Sequence, residues 1–233
     1  MLEIDNTVMG VKTMSKIQYL GSGIEVINYP TFEKTFPERP DKKYFFILPE
    51  ADVKVHQIAE FIKENRGQFI SGCIDIENLL SQVISYFFFE NDSEKRELFH
   101  IFILDTVFLS FGEKKKLLGL LMKKYPQKFS LISDTKRHEA MKTFDDLIRK
   151  RNAFAHGKIV IDYQAMKTVL IYYNTSNNQN DEIILSKKEF LELHGKVVDL
   201  CGFLLPLTHS ECSTSIEHGG IRIDRFSEES NTK

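Results

Sequence analysis

Between Asp52 and Phe89 the apolar residues Ile58, Ile62, Phe69, Cys73, Ile76, Leu80, Val83 and Phe87 recur in steps of three, four or seven. That is the period of an α-helix with one apolar face, and a run of this length commits much of the chain to helix packing. A lone helix in water is marginal, so other elements must cover that face. Gly67 and Gly72 fall inside the run, where each glycine costs ~1 kcal/mol, and a bend or break is expected there.

Further helices follow from local signals. Asn91-Asp92-Ser93 is a turn and N-cap cluster ahead of a helix from about Glu94 to Ser110, which Phe111-Gly112 closes. Glu113 to Lys124 makes a short helix with leucines at 117, 118, 120 and 121, stopped by Pro126. A fourth begins near Asp134, with Met141, Phe144, Ile148 and Ala155 as its apolar rib and Gly157 as terminator. Ser186-Lys187-Lys188-Glu189 has the form of a capping box and opens a last helix reaching about Leu205. Between these two the period switches to two, at Thr168 to Tyr173 and Glu182 to Leu185, giving a hairpin with a polar tip.

Ahead of the helices, short β-like runs at Ile24 to Ile27 and Tyr44 to Leu48 are broken by Gly21, Gly23, Pro30, Pro37, Pro40 and Pro49. The expected architecture is therefore mainly α. It comprises an irregular N-terminal arm over 1–51, an up-and-down bundle of four to five helices over 52–206 with a small β-hairpin at about 168–185, and a polar tail over 207–233.

The chain has 233 residues, 42% hydrophobic and 27% charged, as in an ordinary globular protein. Its net charge of -2 excludes coating nucleic acid by bulk charge, so any such site must be a local patch. The acidic start, Met1-Leu2-Glu3-Ile4-Asp5, is unlike a signal peptide, and the most apolar stretch, Leu98 to Phe111, is interrupted by His100 and Asp105. Three cysteines, Cys73, Cys201 and Cys212, lack CxxC spacing and fit reduced thiols. A cytoplasmic protein without a membrane partner is expected.

The segment Leu147-Ile148-Arg149-Lys150-Arg151-Asn152-Ala153-Phe154-Ala155-His156-Gly157 holds two oddities. Arg151 falls on the apolar rib, where a cation is costly unless an anion meets it. Asn152 and His156 are i and i+4, on one face of the last turn, where the helix dipole favours a cation. From 136 to 158, seven cations face three acids, with Arg149, Lys150 and Lys158 around the motif as candidate RNA-binding residues. A charge run alone is more often a solvated face.

Arg151-Asn152-x-x-x-His156, inside RNAFAHG, resembles the RNxxxH motif of the HEPN domains (higher eukaryotes and prokaryotes nucleotide-binding). The resemblance covers about residues 52 to 205. It implies a helical bundle that dimerises so that two motifs face one cleft, and a metal-independent endoribonuclease of the kind found among toxins and phage-defence effectors, with no cofactor. It also implies an antitoxin or regulatory protein as a further partner. Members silenced by a nucleotidyltransferase often carry Tyr two residues after the His; here that position is Lys158.

Such chemistry needs a base for the 2′-OH, an acid for the 5′-oxygen and a cation for phosphorane charge. A two-fold dimer supplies His156 twice, Arg151 clamps the phosphate, and Asn152 orients the His or a phosphate oxygen. Glu77, among Ile70, Ile74 and Ile84, is expected as the counter-ion of Arg151. The competing reading is a non-catalytic binding module in which the three motif residues only hold the helix end and the dimer. A weaker one treats the motif as chance. His209-x-Glu211-Cys212 with His218 fits no zinc template, so no metal is expected. His100, His138 and His194 read as surface or satisfied core histidines. No GxGxxG, P-loop, GxSxG or HExxH is present.

Overall fold

A computed structural model describes residues 11–14, 17–19, 23–105, 109–130, 132–174, 177–208, 212–217 and 220–225. The chain divides into two compact units, residues 1–66 with 156–189, and residues 67–155 with 190–233.

The first unit is built on sheets, which corrects the mainly α expectation: the chain is an α/β mix. Strands β1 (Val11–Met14), β2 (Ile17–Tyr19), β3 (Ile24–Ile27), β4 (Tyr29–Phe36) and β5 (Arg39–Ile47) replace the irregular arm. After them come β6 (Lys158–Asp162), β7 (Lys167–Asn174) and β8 (Gln179–Ile184). One sheet has the order β1-β4-β5, the other β2-β3-β6-β7-β8.

β3 and β6 pair in parallel, Ile24 against Ile159 and Val26 against Ile161, while the other pairs are antiparallel. Ile24, Val26, Ile159, Val160 and Ile161 are all buried. The β7–β8 hairpin is where the period-two pattern placed it, but it is the end of a mixed sheet rather than an insertion into a bundle. Asn28, at φ 54, turns the chain from β3 into β4, and its amide donates to Asp162 Oδ2 at 3.1 Å. The other Asp162 oxygen accepts the Ala165 backbone N–H. Those two bonds, Ala165 first, hold the Asp162 carboxyl below its usual range.

Helix α1 (Pro49–Phe88) runs through both glycines without a break, and its residues from 67 onward belong to the second unit. Its buried residues there, Phe69, Cys73, Ile76, Leu80 and Val83, are those of the sequence pattern. α2 (Ser93–Phe99) is short and capped by Asp92, whose side chain accepts from the Lys95 N–H, and it passes into a π-helical turn at His100–Leu104. Phe111-Gly112 opens α3 (Phe111–Lys124) rather than closing the previous helix, because Ser110 and Glu113 form a capping box. α4 (Asp134–His156) and α5 (Lys187–Leu204) complete the set, with Ser186 Oγ accepting the Glu189 N–H at 3.1 Å.

Pairwise contacts within the second unit fix the helix directions. Phe69 meets Phe154, and Phe154 meets Phe190, with ring centroids 5.2 and 5.8 Å apart. Lys196 reaches Asp146 at 2.6 Å, so α4 and α5 are antiparallel. Phe111 against Phe144 and Gly119 beside Met141 make α3 antiparallel to α4 as well. Glu77 beside Lys114 and, further along, Phe87 beside Tyr125 at the end of α3 make α1 and α3 parallel, so α1 is antiparallel to α4 and successive long helices do not simply alternate. The tail carries β9 (Cys212–Glu217) and β10 (Gly220–Arg225), paired antiparallel, where a polar segment without structure was expected.

Candidate functional site

The buried residues of α4 are Ala140, Phe144, Leu147, Ala153 and Phe154: Phe144 is as expected, Met141, Ile148 and Ala155 each give way to the residue before, and Ala155 is exposed. Steps of four and three along the buried rib pass through 151. Arg151 thus occupies a rib position between Leu147 and Phe154, half-buried. Its guanidinium stands 3.5 Å from the Oδ1 of Asn152, at the limit of a hydrogen bond. Among the described residues no carboxylate pairs with it.

Asn152 is exposed, and so is His156, the last residue of the helix. Four residues apart on one helix, they lie on one face. The helix ends at His156, and Lys158 begins β6, its ammonium paired with the buried carboxylate of Glu25.

Glu77 is engaged elsewhere than expected. Its carboxylate lies 3.1 Å from the ammonium of Lys114 on α3, whose side chain is only 5% exposed against 20% for Glu77. Ile74, one of the neighbours that made Glu77 look like a core position, is exposed, and Glu77 sits at the edge of the core. Lys114 shares the buried face of α3 with Phe111, Leu118 and Leu121. Sequence reasoning passed over it, although a lysine in step with that apolar rib was as visible as Arg151.

Cys73, one turn before Glu77, is buried, and burial pushes its thiol up to about 12; Arg151 pulls the other way and Glu77 adds to the rise. The basic patch is partly spent on Asp146. That carboxylate accepts from Lys196 at 2.6 Å and from Arg149 at 2.7 Å, with Lys150 at 3.9 Å. Partial burial raises the Asp146 pKa, but the bonds from Lys196 and Arg149 outweigh it and the net shift is downward.

His194 Nε2 is buried without a hydrogen-bond partner among the described residues, and burial holds its pKa below the usual value. His209, Glu211 and His218 lie outside the described residues. Among those described, no group of three or more His, Cys, Asp or Glu is placed to hold a metal ion. No described helix is long and apolar enough to cross a membrane. No family model, curated protein or solved structure matches the chain.

Proposed function

We propose that this protein is a metal-independent endoribonuclease that cleaves RNA by attack of the strand's own 2′-OH, with Arg151, Asn152 and His156 as its reactive set. The observation that carries this reading is Arg151: a guanidinium at a rib position that no carboxylate of the described residues neutralises. A buried or half-buried cation without a counter-ion is destabilising, and a phosphate offers the bidentate partner it lacks. Asn152 and His156 are exposed beside it along the same helix, open to a strand or a second subunit.

In this reading a homodimer supplies two copies of His156, one removing the 2′-OH proton and the other protonating the departing 5′-oxygen. Arg151 neutralises the phosphorane, and the products are a 2′,3′-cyclic phosphate and a 5′-hydroxyl. The HEPN-like motif supports the same assignment through its residues alone, since the α/β fold lends the bundle part of that resemblance no support. Arg149, Lys150 and Lys158 contribute less to RNA binding than a bare charge count implies, because each already faces a carboxylate. A cytoplasmic setting and a regulatory protein such as an antitoxin belong to the same proposal.

The test is incubation of the purified protein with RNA in EDTA. Cleavage is expected to persist, to be bell-shaped in pH, and to fall ~10²–10⁴-fold in His156→Ala and in Arg151→Ala with the fold retained. Asn152→Ala is expected to lose less, since it orients groups without transferring a proton. RNA binding without cut strands at any pH would replace this reading with a non-catalytic binding module.

A further inference from the structure

We infer that Lys114 is a positioning residue: by holding the carboxylate of Glu77 it keeps the guanidinium of Arg151 available to an external phosphate. The identity of that phosphate, an RNA strand, rests on the reading above; the competition for Glu77 does not.

The geometry begins with Phe69 of α1 and Phe154 of α4, whose ring centroids are 5.2 Å apart. One helical turn onward along α1 comes Cys73, and one turn back along α4 comes Arg151. In an antiparallel pair these two positions face each other. Glu77 lies one further turn along α1, on the same side as Cys73. Both Arg151 and Glu77 act electrostatically on the Cys73 thiol, in opposite senses, as that register requires. Lys114 enters from α3, reaching Glu77 at 3.1 Å with its own side chain almost wholly buried.

One carboxylate thus lies against Lys114 and about one helical turn along α1 from the level of Arg151. A carboxylate prefers the planar fork of an arginine to the point charge of a lysine when both are in reach. Here the lysine holds it, because burial leaves the Lys114 ammonium no other partner among the described residues. Arg151 pays the electrostatic cost. A charge left without its natural partner at a rib position is a break with local rules of the kind that accompanies ligand sites.

The experiment compares Lys114→Met, Glu77→Gln and the double variant, using a single-stranded RNA oligonucleotide for cleavage and its 2′-O-methyl counterpart for binding. In Lys114→Met, Glu77 turns to Arg151, and RNA binding and cleavage are expected to fall about tenfold. Adding Glu77→Gln removes the competing carboxylate and is expected to restore at least half of that loss on a logarithmic scale. A lysine that merely supports the fold, or touches RNA itself, gives no such rescue, and its absence overturns the inference.

Should Lys114→Met not fold, the double variant leaves no charge in that cluster apart from Arg151. It is then expected to bind RNA as tightly as Glu77→Gln alone, and weaker binding overturns the inference. Urea unfolding separates this from the RNA reading. The coupling between Glu77→Gln and Arg151→Met is expected to be near zero with Lys114 present, and to reach about a factor of ten in the unfolding constant with Met at 114. If the protein neither binds nor cuts RNA, the RNA reading falls, and that coupling alone decides the role of Lys114: a rise sustains it, no rise refutes it.

Discussion

The helical unit and the sheet unit spend their apolar residues differently. In the helical unit one stripe of each helix is buried, so Phe69, Cys73, Ile76, Leu80 and Val83 announce themselves by spacing. In the sheet unit β3 and β6 are buried without alternation: Ile159, Val160 and Ile161 are all inaccessible, and even Glu25 between Ile24 and Val26 is. A strand covered on both faces reads as a short apolar run, indistinguishable from the end of a helix. Its partner is also remote, since Ile24 pairs with Ile159. Local periodicity reports what a segment buries, and the pairing of residues 24–27 with residues 159–162 leaves no local trace.

The deepest test of that contrast is truncation of one core side chain in each unit. Phe154 is fully buried between the rings of Phe69 and Phe190, and Phe154→Ala is expected to destabilise the protein by ~3–5 kcal/mol. Ile161, buried in β6, is expected to cost ~2–5 kcal/mol as Ile161→Ala. Urea denaturation measures both. A loss under 1 kcal/mol in Ile161→Ala would mean that the sheet unit contributes little to the cooperative fold, and the comparison would become one between a core and an appendage.

Thiol chemistry sharpens the same contrast from the helical side. Burial raises Cys73 to about 12 and Cys201 to about 11, so the folded state retains protons that the unfolded thiols release near pH 9. The stabilisation is therefore complete below pH 9 and lost as pH climbs toward those folded values. Alkylation by iodoacetamide at pH 9 is expected to be slower than for a free thiol by roughly a factor of 10³ at Cys73 and 10² at Cys201, from the thiolate fractions alone. Peptide mapping reads both sites. Equal, rapid labelling of the two would show that the interior of the helical unit is wet or open.

The candidate site was legible in part for the same reason as the helices. Arg151 stood out because it interrupts an apolar rib, and the rib's last position was misplaced by one only because Ala153, Phe154 and Ala155 offer no contrast in hydrophobicity. Lys114 gives the same signal in step with Leu118 and Leu121, and a helix begun at Glu113 leaves out only Phe111 from that rib. The signal that fixes the start at Phe111, Ser110 three residues before Glu113, is in the sequence. What spacing alone does not supply is the choice of counter-ion. The spacing names Glu77 as the counter-ion of Arg151, but which cation meets it depends on how three helices pack, and the structure pairs it with Lys114.

The smallest effects come from the two glycines of α1, and they separate helix propensity from packing within a single element. Gly67 has nothing within 4 Å of where a Cβ would stand, so Gly67→Ala meets only the backbone term and is expected to stabilise by up to ~1 kcal/mol. At Gly72 the same methyl would lie 2.9 Å from Cγ1 of Val197, a short, stiff and buried side chain of α5. Overpacking of that kind costs ~1–3 kcal/mol, which exceeds the propensity gain, so Gly72→Ala is expected to destabilise. Val197→Ala made together with Gly72→Ala removes the clash and should recover part of the loss, a coupling that urea midpoints resolve. If Gly72→Ala instead stabilises like Gly67→Ala, α1 and α5 stand further apart than the Gly72–Val197 contact requires, and the packing that aligns α1 with its neighbours would have to be redrawn.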